Sequence, residues 1–270
     1  MNANQQNIES LAQRMKITIL NQGFWNPKRP HQAETNEENR RHGLDNDVEV
    51  RIKLIKHDSL SKAQAVKAQI YNAHKKLTLP SPVDGMRIVP AGREFEHAGV
   101  VSNLTNEFDK YIAEFLNDYD KVIEAAEKRL GVILYDKNMF PTKEEMTEKF
   151  YNKCKYMETP TTGSWGDWIN ETVQLGQIEL QERLVGAARK LIETCSNDGR
   201  LYSSVLDNLS DICDLAGDLN LMEDPIIAKA AKELNTVATD FSADVLRENK
   251  VLKMETANRA AKILSIFNLS

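Results

Sequence analysis

The sequence predicts a mainly α protein with a small β element: an elongated helical bundle with a coiled-coil-like arm, plus an N-terminal antiparallel sheet of two or three strands. Three observations carry that prediction. Between Gly99 and Gly131, and again from Pro225 to Ser270, no further glycine or proline interrupts the chain. Apolar residues recur in both runs every three or four positions, which is the spacing of one helix face. Near the N-terminus two shorter runs alternate with period two, as half-buried strands do.

Taken in order, the first element is a strand over Met15 to Leu20, with Met15, Ile17 and Ile19 on one side and Lys16 and Thr18 on the other. The second is a strand over Val48 to Leu54, where Val48, Val50, Ile52 and Leu54 alternate with Glu49, Arg51 and Lys53. Pairing the two gives an N-terminal β-hairpin region, and because a lone hairpin is marginal in water, helices must cover its apolar face. Residues 26–47, almost free of apolar side chains, read as a mobile loop or disordered excursion that has too little to bury to offset the entropy of ordering. Such a loop is either a segment that folds on binding or a tolerated insertion.

A helix then starts at Asp58 or Ser61 and runs to Lys76, with Ala63, Val66, Ile70, Ala73 and Leu77 inward. Pro80, Pro82 and Pro90 break it, and Met86 to Val89 offers a third strand. The long helix from Val100 to Leu130 carries Val101, Leu104, Phe108, Ile112, Phe115, Tyr119, Val122 and Ala126 in one seam and ends at Gly131. Thr142 and Glu145 form a capping box at the head of a short helix reaching Tyr151. Further helices are expected over residues 169–194 and 201–219, and another from Asp224, an N-cap with Pro225 at the favoured first position. The last stripe falters between Asp244 and Lys250, which predicts a bend or break there. The expected division is an N-terminal region over 1–92 and a helical bundle over 93–270, with one continuous domain as the alternative.

Composition narrows the function classes. Charged residues make up 28% and the hydrophobic set 41%, too apolar for general disorder. No stretch approaches the roughly 18 apolar residues of a membrane span. The N-terminal MNANQQNIES has neither a basic nor an apolar region, so the expectation is a cytoplasmic protein with no membrane partner. Cys154, Cys195 and Cys213 lack CxxC spacing and read as reduced core thiols, while the five histidines form neither HExxH nor a Cys/His cluster. No phosphate-binding glycine loop and no GxSxG elbow is present. The expectation is therefore no catalytic residue, no cofactor and no metal.

Two groups of residues remain as candidate contacts. Trp165 and Trp168, flanked by Gly163 and Gly166, sit three apart at the head of a helix and either anchor a loop or form an interface hot spot. Phe24 and Trp25 join them as candidate interaction residues. From Arg51 to Thr78, seven basic residues face Asp58 alone, a local charge of +6 that leaves −11 on the remainder. Arg51, Lys53, Lys56, Lys62 and Lys67 are thus candidate nucleic-acid contacts, with Phe24, Trp25 and Tyr71 as stacking rings. The other reading of the same charges is a solvated face paired with the acidic body.

The order of features over Ile17 to Trp25, Ser61 to Lys76, Leu79 to Pro90 and Phe95 to Tyr119 resembles a family of uncharacterised phage- and plasmid-borne proteins with a domain of unknown function. That resemblance covers about the first half of the chain. Members of that family are often encoded near MoxR-type AAA+ ATPases and von Willebrand-type domain proteins, so the resemblance implies an accessory or adaptor role beside such an ATPase, in the host cytoplasm if the gene is phage-borne, and it transfers no catalytic residue. The leading expectation is a non-enzymatic interaction or assembly protein that binds a protein partner or itself; the alternative is a nucleic-acid-binding accessory protein using the basic 51–76 segment.

Overall fold

Helices dominate the computed structural model, which describes residues 3–45, 47–161, 165–196 and 201–267. Along the chain the elements are α1 (Ala3–Gln13), β1 (Met15–Gly23), β2 (Lys28–Pro30), α2 (Gln32–His42), β3 (Arg51–Lys53), α3 (Asp58–Lys76), β4 (Leu79–Pro80), β5 (Met86–Pro90), α4 (Glu94–Asn117), α5 (Tyr119–Leu134), α6 (Lys143–Glu148), β6 (Tyr151–Glu158), α7 (Trp165–Ser196), α8 (Ser203–Leu219), α9 (Pro225–Thr239), α10 (Ala243–Glu248) and α11 (Lys250–Leu264). The protein is mainly α with a small antiparallel β element, as its pattern predicts. No helix among the described residues is long and apolar enough to cross a membrane.

The chain divides into two compact units, neither of them a single run of sequence. The first comprises Met1–Ile19, His74–His97 and Lys155–Ser270; the second comprises Leu20–Ala73 and Ala98–Cys154. The boundaries fall inside β1, α3, α4 and β6.

In the first unit the sheet order is β4-β5-β1-β6. β1 runs antiparallel to β5, with Met15 opposite Pro90, Ile17 opposite Ile88 and Ile19 opposite Met86, and β4 adds to the other side of β5 through Leu79 opposite Ile88. Met15, Ile17, Leu79 and Ile88 are buried, so the sheet presents an apolar face of the kind period-two alternation specifies. Helix α7 packs on β4 and against α1, α8 and α11, while α9 packs on α8 and α11. Its buried face is Ile169, Val173, Leu180, Leu184, Ala188 and Leu191, and each fully buried leucine there is worth about 1.5–3 kcal/mol relative to exposure. Gly176 belongs to the same face; a Cβ on it would meet Leu79 Cδ1 at 3.0 Å, so the missing side chain is what lets α7 lie close on β4.

The second unit is built around one aromatic-rich core. The inward face of α3 contributes Leu60, Ala63, Val66 and Ile70, α4 contributes Val101, Phe108, Ile112 and Phe115, and α5 contributes Tyr119, Val122 and Leu130. Phe150 meets Phe24 edge-on at 5.2 Å and Phe115 at 5.9 Å, and Phe115 meets Tyr119 at 5.6 Å, separations at which edge-to-face rings attract. A two-stranded ribbon of β2 and β3, with Arg29 opposite Ile52, closes one side.

Several expectations are corrected. The strands at the N-terminus do not form a hairpin with each other, since β1 pairs with β5 and the shortened β3 pairs with β2; alternation defines which face is apolar but not which strand lies alongside. Residues 26–47 are not a structureless loop: they contain β2 and α2. Hydrogen bonds rather than apolar burial order them. The buried Asn39 side chain both donates to Val48 O and accepts from Val48 N, at 2.9 and 3.0 Å, and the buried Thr35 Oγ1 accepts from Val50 N at 2.9 Å. His31 caps the start of α2 by accepting from Glu34 N, and Gly43 closes its end in the left-handed region with φ 65°.

The long helix is likewise not one coiled-coil arm. It divides at Asp118, whose ψ of 4° separates α4 from α5, and its apolar seam is consumed inside the core of the second unit. Near Gly131, where the sequence predicts the end, the backbone does leave helical geometry, with φ 65° and ψ −178°. The capping box at Thr142 and Glu145 is present, but α6 stops at Glu148 because β6 begins at Tyr151. At the C-terminal end the expected break becomes two, with Ser242 capping α10 and Asn249 capping α11 through their side chains. Helix α1 and strand β6 carry no clear periodic signal and are not anticipated.

Gly131 and Gly99 are both exposed, and a Cβ at either would meet no atom within 4 Å, so substitutions there read backbone conformation alone. Gly131→Ala forces an L side chain into a region reserved for glycine and is expected to lower stability by about 1–3 kcal/mol. Gly99→Ala, in the regular part of α4, is expected to raise it by about 0.5–1 kcal/mol. Urea unfolding of the two variants measures both signs.

Candidate functional site

The chain between α3 and α4 makes a tight β4–β5 hairpin, and an antiparallel hairpin returns its two flanks to the same place. His74 lies just before that hairpin, in the last turn of α3, and His97 lies just after it, in the first turns of α4. Their rings meet in the interior of the first unit. His74 Nδ1 is 3.0 Å from His97 Nε2, and His97 Nδ1 is 2.7 Å from the hydroxyl of Tyr156 on β6. The His97 and Tyr156 rings cross at 80° with centroids 5.6 Å apart. The exposures of His74 and His97 are 3% and 0%.

Burial of this degree disfavours the imidazolium form. Burial, with added repulsion from His97 and Arg87, brings the pKa of His74 down from 6.5 to about 3; burial brings that of His97 down to about 4. Both rings are therefore neutral at pH 7. A neutral imidazole has one N–H and one lone pair, so the chain Tyr156–His97–His74 places one proton in each of its two gaps.

What holds His74 in place is the closure of α3. Its own carbonyl accepts from Thr78 Oγ1 at 2.6 Å. Arg183, from the middle of α7, donates to the carbonyls of Lys76, Lys75 and Thr78 at 2.8–2.9 Å. Arg87, from β5, donates to Thr78 Oγ1 at 2.6 Å and to Thr78 O at 3.1 Å. Glu179, one turn before Arg183, accepts from both guanidiniums and balances part of their charge. The side chains of Arg87, Glu179 and Arg183 are about 80% covered, so this is an interior network rather than a surface pair. Cys154 lies two residues before Tyr156, and the alternation of β6 puts it on the same half-buried face of that strand.

The residues singled out from sequence fall elsewhere. Trp25 is 5% exposed and belongs to the core of the second unit, with the Arg29 guanidinium 5.7 Å from its ring centre. Phe24 is half-buried against Phe150 and Phe108, under the Lys67 ammonium at 5.9 Å. These two rings are packed inward and do not form an open stacking platform. Trp165 and Trp168 do come together, edge-on at 5.1 Å in the first turn of α7, and both are half-buried. In the basic segment, Arg51 pairs with Glu49 at 2.7 Å, Lys62 with Asp58 at 2.7 Å and Lys76 with Asp211 at 2.7 Å; Lys53 and Lys56 are exposed. The histidine pair escapes a search for short motifs because its members are 23 residues apart. The available signal is the turn between them: a Pro- and Gly-bearing hairpin brings the two segments that flank it back to one place. Comparison with protein-family models, with curated proteins and with solved structures finds no match.

Two predictions follow from this geometry. Arg183→Met removes the donor to the last two carbonyls of α3 and to that of Thr78 just beyond it, and leaves Glu179 with one guanidinium; a loss of about 3 kcal/mol is expected in urea unfolding. The histidines fix the direction of the pH dependence. Unfolded, each takes up a proton below pH 6.5, whereas folded they stay neutral down to about pH 4 and 3, so stability holds above pH 6.5 and falls as the pH drops from 6.5 towards 4. His74→Gln is expected to flatten that slope in thermal unfolding measured across the same range.

Proposed function

We propose that the chain is a non-enzymatic interaction protein that works through its helical surface, associating with a second copy of itself or with a protein partner. The observation that carries this reading is on α11. Thr256, Ala257, Ala260 and Ile263 form its buried side, whereas Val251 and Met254, one turn apart, point the opposite way and are 75% and 48% exposed. Apolar side chains turned outward at helical spacing are what a partner helix or groove covers. Further support comes from the chemistry of the first unit: its best-assembled polar side chains, Arg87, Glu179 and Arg183, are engaged in closing α3.

The resemblance of the first half to phage- and plasmid-borne proteins makes a MoxR-type AAA+ ATPase one partner to test. A nucleic-acid role draws less support, because two of the three rings that would stack on bases, Phe24 and Trp25, are packed inward and Tyr71 alone is exposed.

The test is light scattering of the purified protein together with affinity capture from its host. The expected result is a mass above that of one chain at high concentration, or a stoichiometric captured protein, with either lost in a Val251→Glu, Met254→Glu double variant of unchanged helical content. A monomer at every concentration that captures nothing overturns the proposal.

A further inference from the structure

We propose that His74 and His97 are the protein ligands of a divalent transition-metal ion of the zinc and cobalt class, bound between His74 Nδ1 and His97 Nε2, with the Tyr156 hydroxyl as the outer partner of His97. Metal–nitrogen bonds of about 2.0–2.1 Å at a tetrahedral angle put two ligand atoms about 3.3 Å apart. The two nitrogens stand at 3.0 Å. An ion therefore needs the two nitrogens to part by only a few tenths of an ångström, and it sits to one side of the line that joins them.

The second support is the far side of His97. A metal-bound imidazole is held by a hydrogen bond from its other ring nitrogen, which fixes both tautomer and orientation. His97 Nδ1 has that bond, to Tyr156 at 2.7 Å. When the proton of His97 is on Nδ1, donated to the phenol oxygen, the lone pair on Nε2 points at His74. His74 offers its own lone pair once its proton is on Nε2. Both rings are neutral in this arrangement, so each binds the ion by a change of tautomer at most and neither has to lose a proton.

The third support is rigidity. His74 sits on a helix end whose carbonyls are tied down by Arg183 and by Thr78, which Arg87 holds in turn, and His97 is wholly buried in the helix that follows the hairpin. Ligands held on regular elements by a supporting set of hydrogen bonds are prepared for a metal, and imidazole nitrogen suits zinc, cobalt, nickel and copper over calcium or magnesium. Two imidazoles leave coordination positions open on the ion, which water or a further donor fills.

The other occupant of this geometry is a proton, shared between two rings that serve only to fill the interior. Zinc and cobalt titrations of the full-length protein, freed of metal by chelator and followed by calorimetry and by the visible bands of tetrahedral cobalt, separate the two. One ion per chain is expected, with affinity falling at least 100-fold in His74→Gln and in His97→Gln. Tyr156→Phe keeps both ligands and most of the packing, and it is expected to weaken binding about 10- to 100-fold. Because a glutamine in the interior can loosen the fold, the thermal midpoint of each variant is measured in chelator and in excess zinc: zinc raises it for the parent chain and not for the histidine variants. Absence of binding, or binding indifferent to both histidine substitutions, assigns the pair to the proton and overturns the proposal.

Discussion

The end of α3 is the constraint on which the first unit depends. The last carbonyls of a helix have no donor within the helix, and glycine commonly ends the segment by turning the chain back on itself. Here Leu77 and Thr78 follow α3 directly and lead into β4, so the donors have to come from elsewhere. They come from Arg183 on α7 and from the Thr78 hydroxyl, which is itself held by Arg87 on β5. One closure thus joins a helix end, the hairpin after it and the longest helix of the unit. The guanidinium charge also lies at the negative end of the α3 dipole, where a cation is favoured. Glu179 makes the arrangement tolerable: without it, two guanidiniums would share a poorly solvated space.

The same closure explains why α7 can approach so closely. Gly176 rests on Leu79, and Glu179 and Arg183 are one and two turns further along α7. Apolar contact and polar closure therefore alternate along one helix face, each setting the distance at which the other is satisfied. The histidines inherit this order. His74 is held through its own carbonyl by Thr78, so the position of its ring is set by the same bonds that finish the helix. A ring placed in this way carries information about the hairpin and about α7 as well as about α3.

How much of this was legible in the sequence depends on the range over which each signal acts. Signals confined to a few residues could be read directly: the capping box at Thr142 and Glu145, Asp224 with Pro225, the inward faces of α3 and α4, and the strand at Met86. Pairing could not. The alternation at Met15 to Ile19 is satisfied equally by β3 or β5, and only the three-dimensional arrangement chooses β5. Apolar content alone makes the 26–47 segment read as a loop, whereas Thr35 and Asn39 order it by bonding the backbone at Val50 and Val48. Asp118 divides the long helix without a glycine or proline to announce it. The histidine pair was hidden for the same reason as the strand pairing, since two residues 23 apart carry no local pattern.

Polar residues play different parts in the two units. In the second, the buried Asn39 and Thr35 side chains order a segment that has little apolar surface to bury, by bonding its backbone. In the first, the arginine network, about 80% covered, closes a helix end, and the two histidines are buried beside it, where an unmet polar group is damaging. Helix closure accounts fully for the arginines. It does not account for His97, which caps no helix end and carries no charge at neutral pH, and whose position an apolar side chain of similar volume would fill without burying two polar nitrogens. What distinguishes an imidazole from such a side chain is a nitrogen lone pair held in a fixed direction, and at His97 that direction is set by Tyr156 on one side and faces His74 on the other.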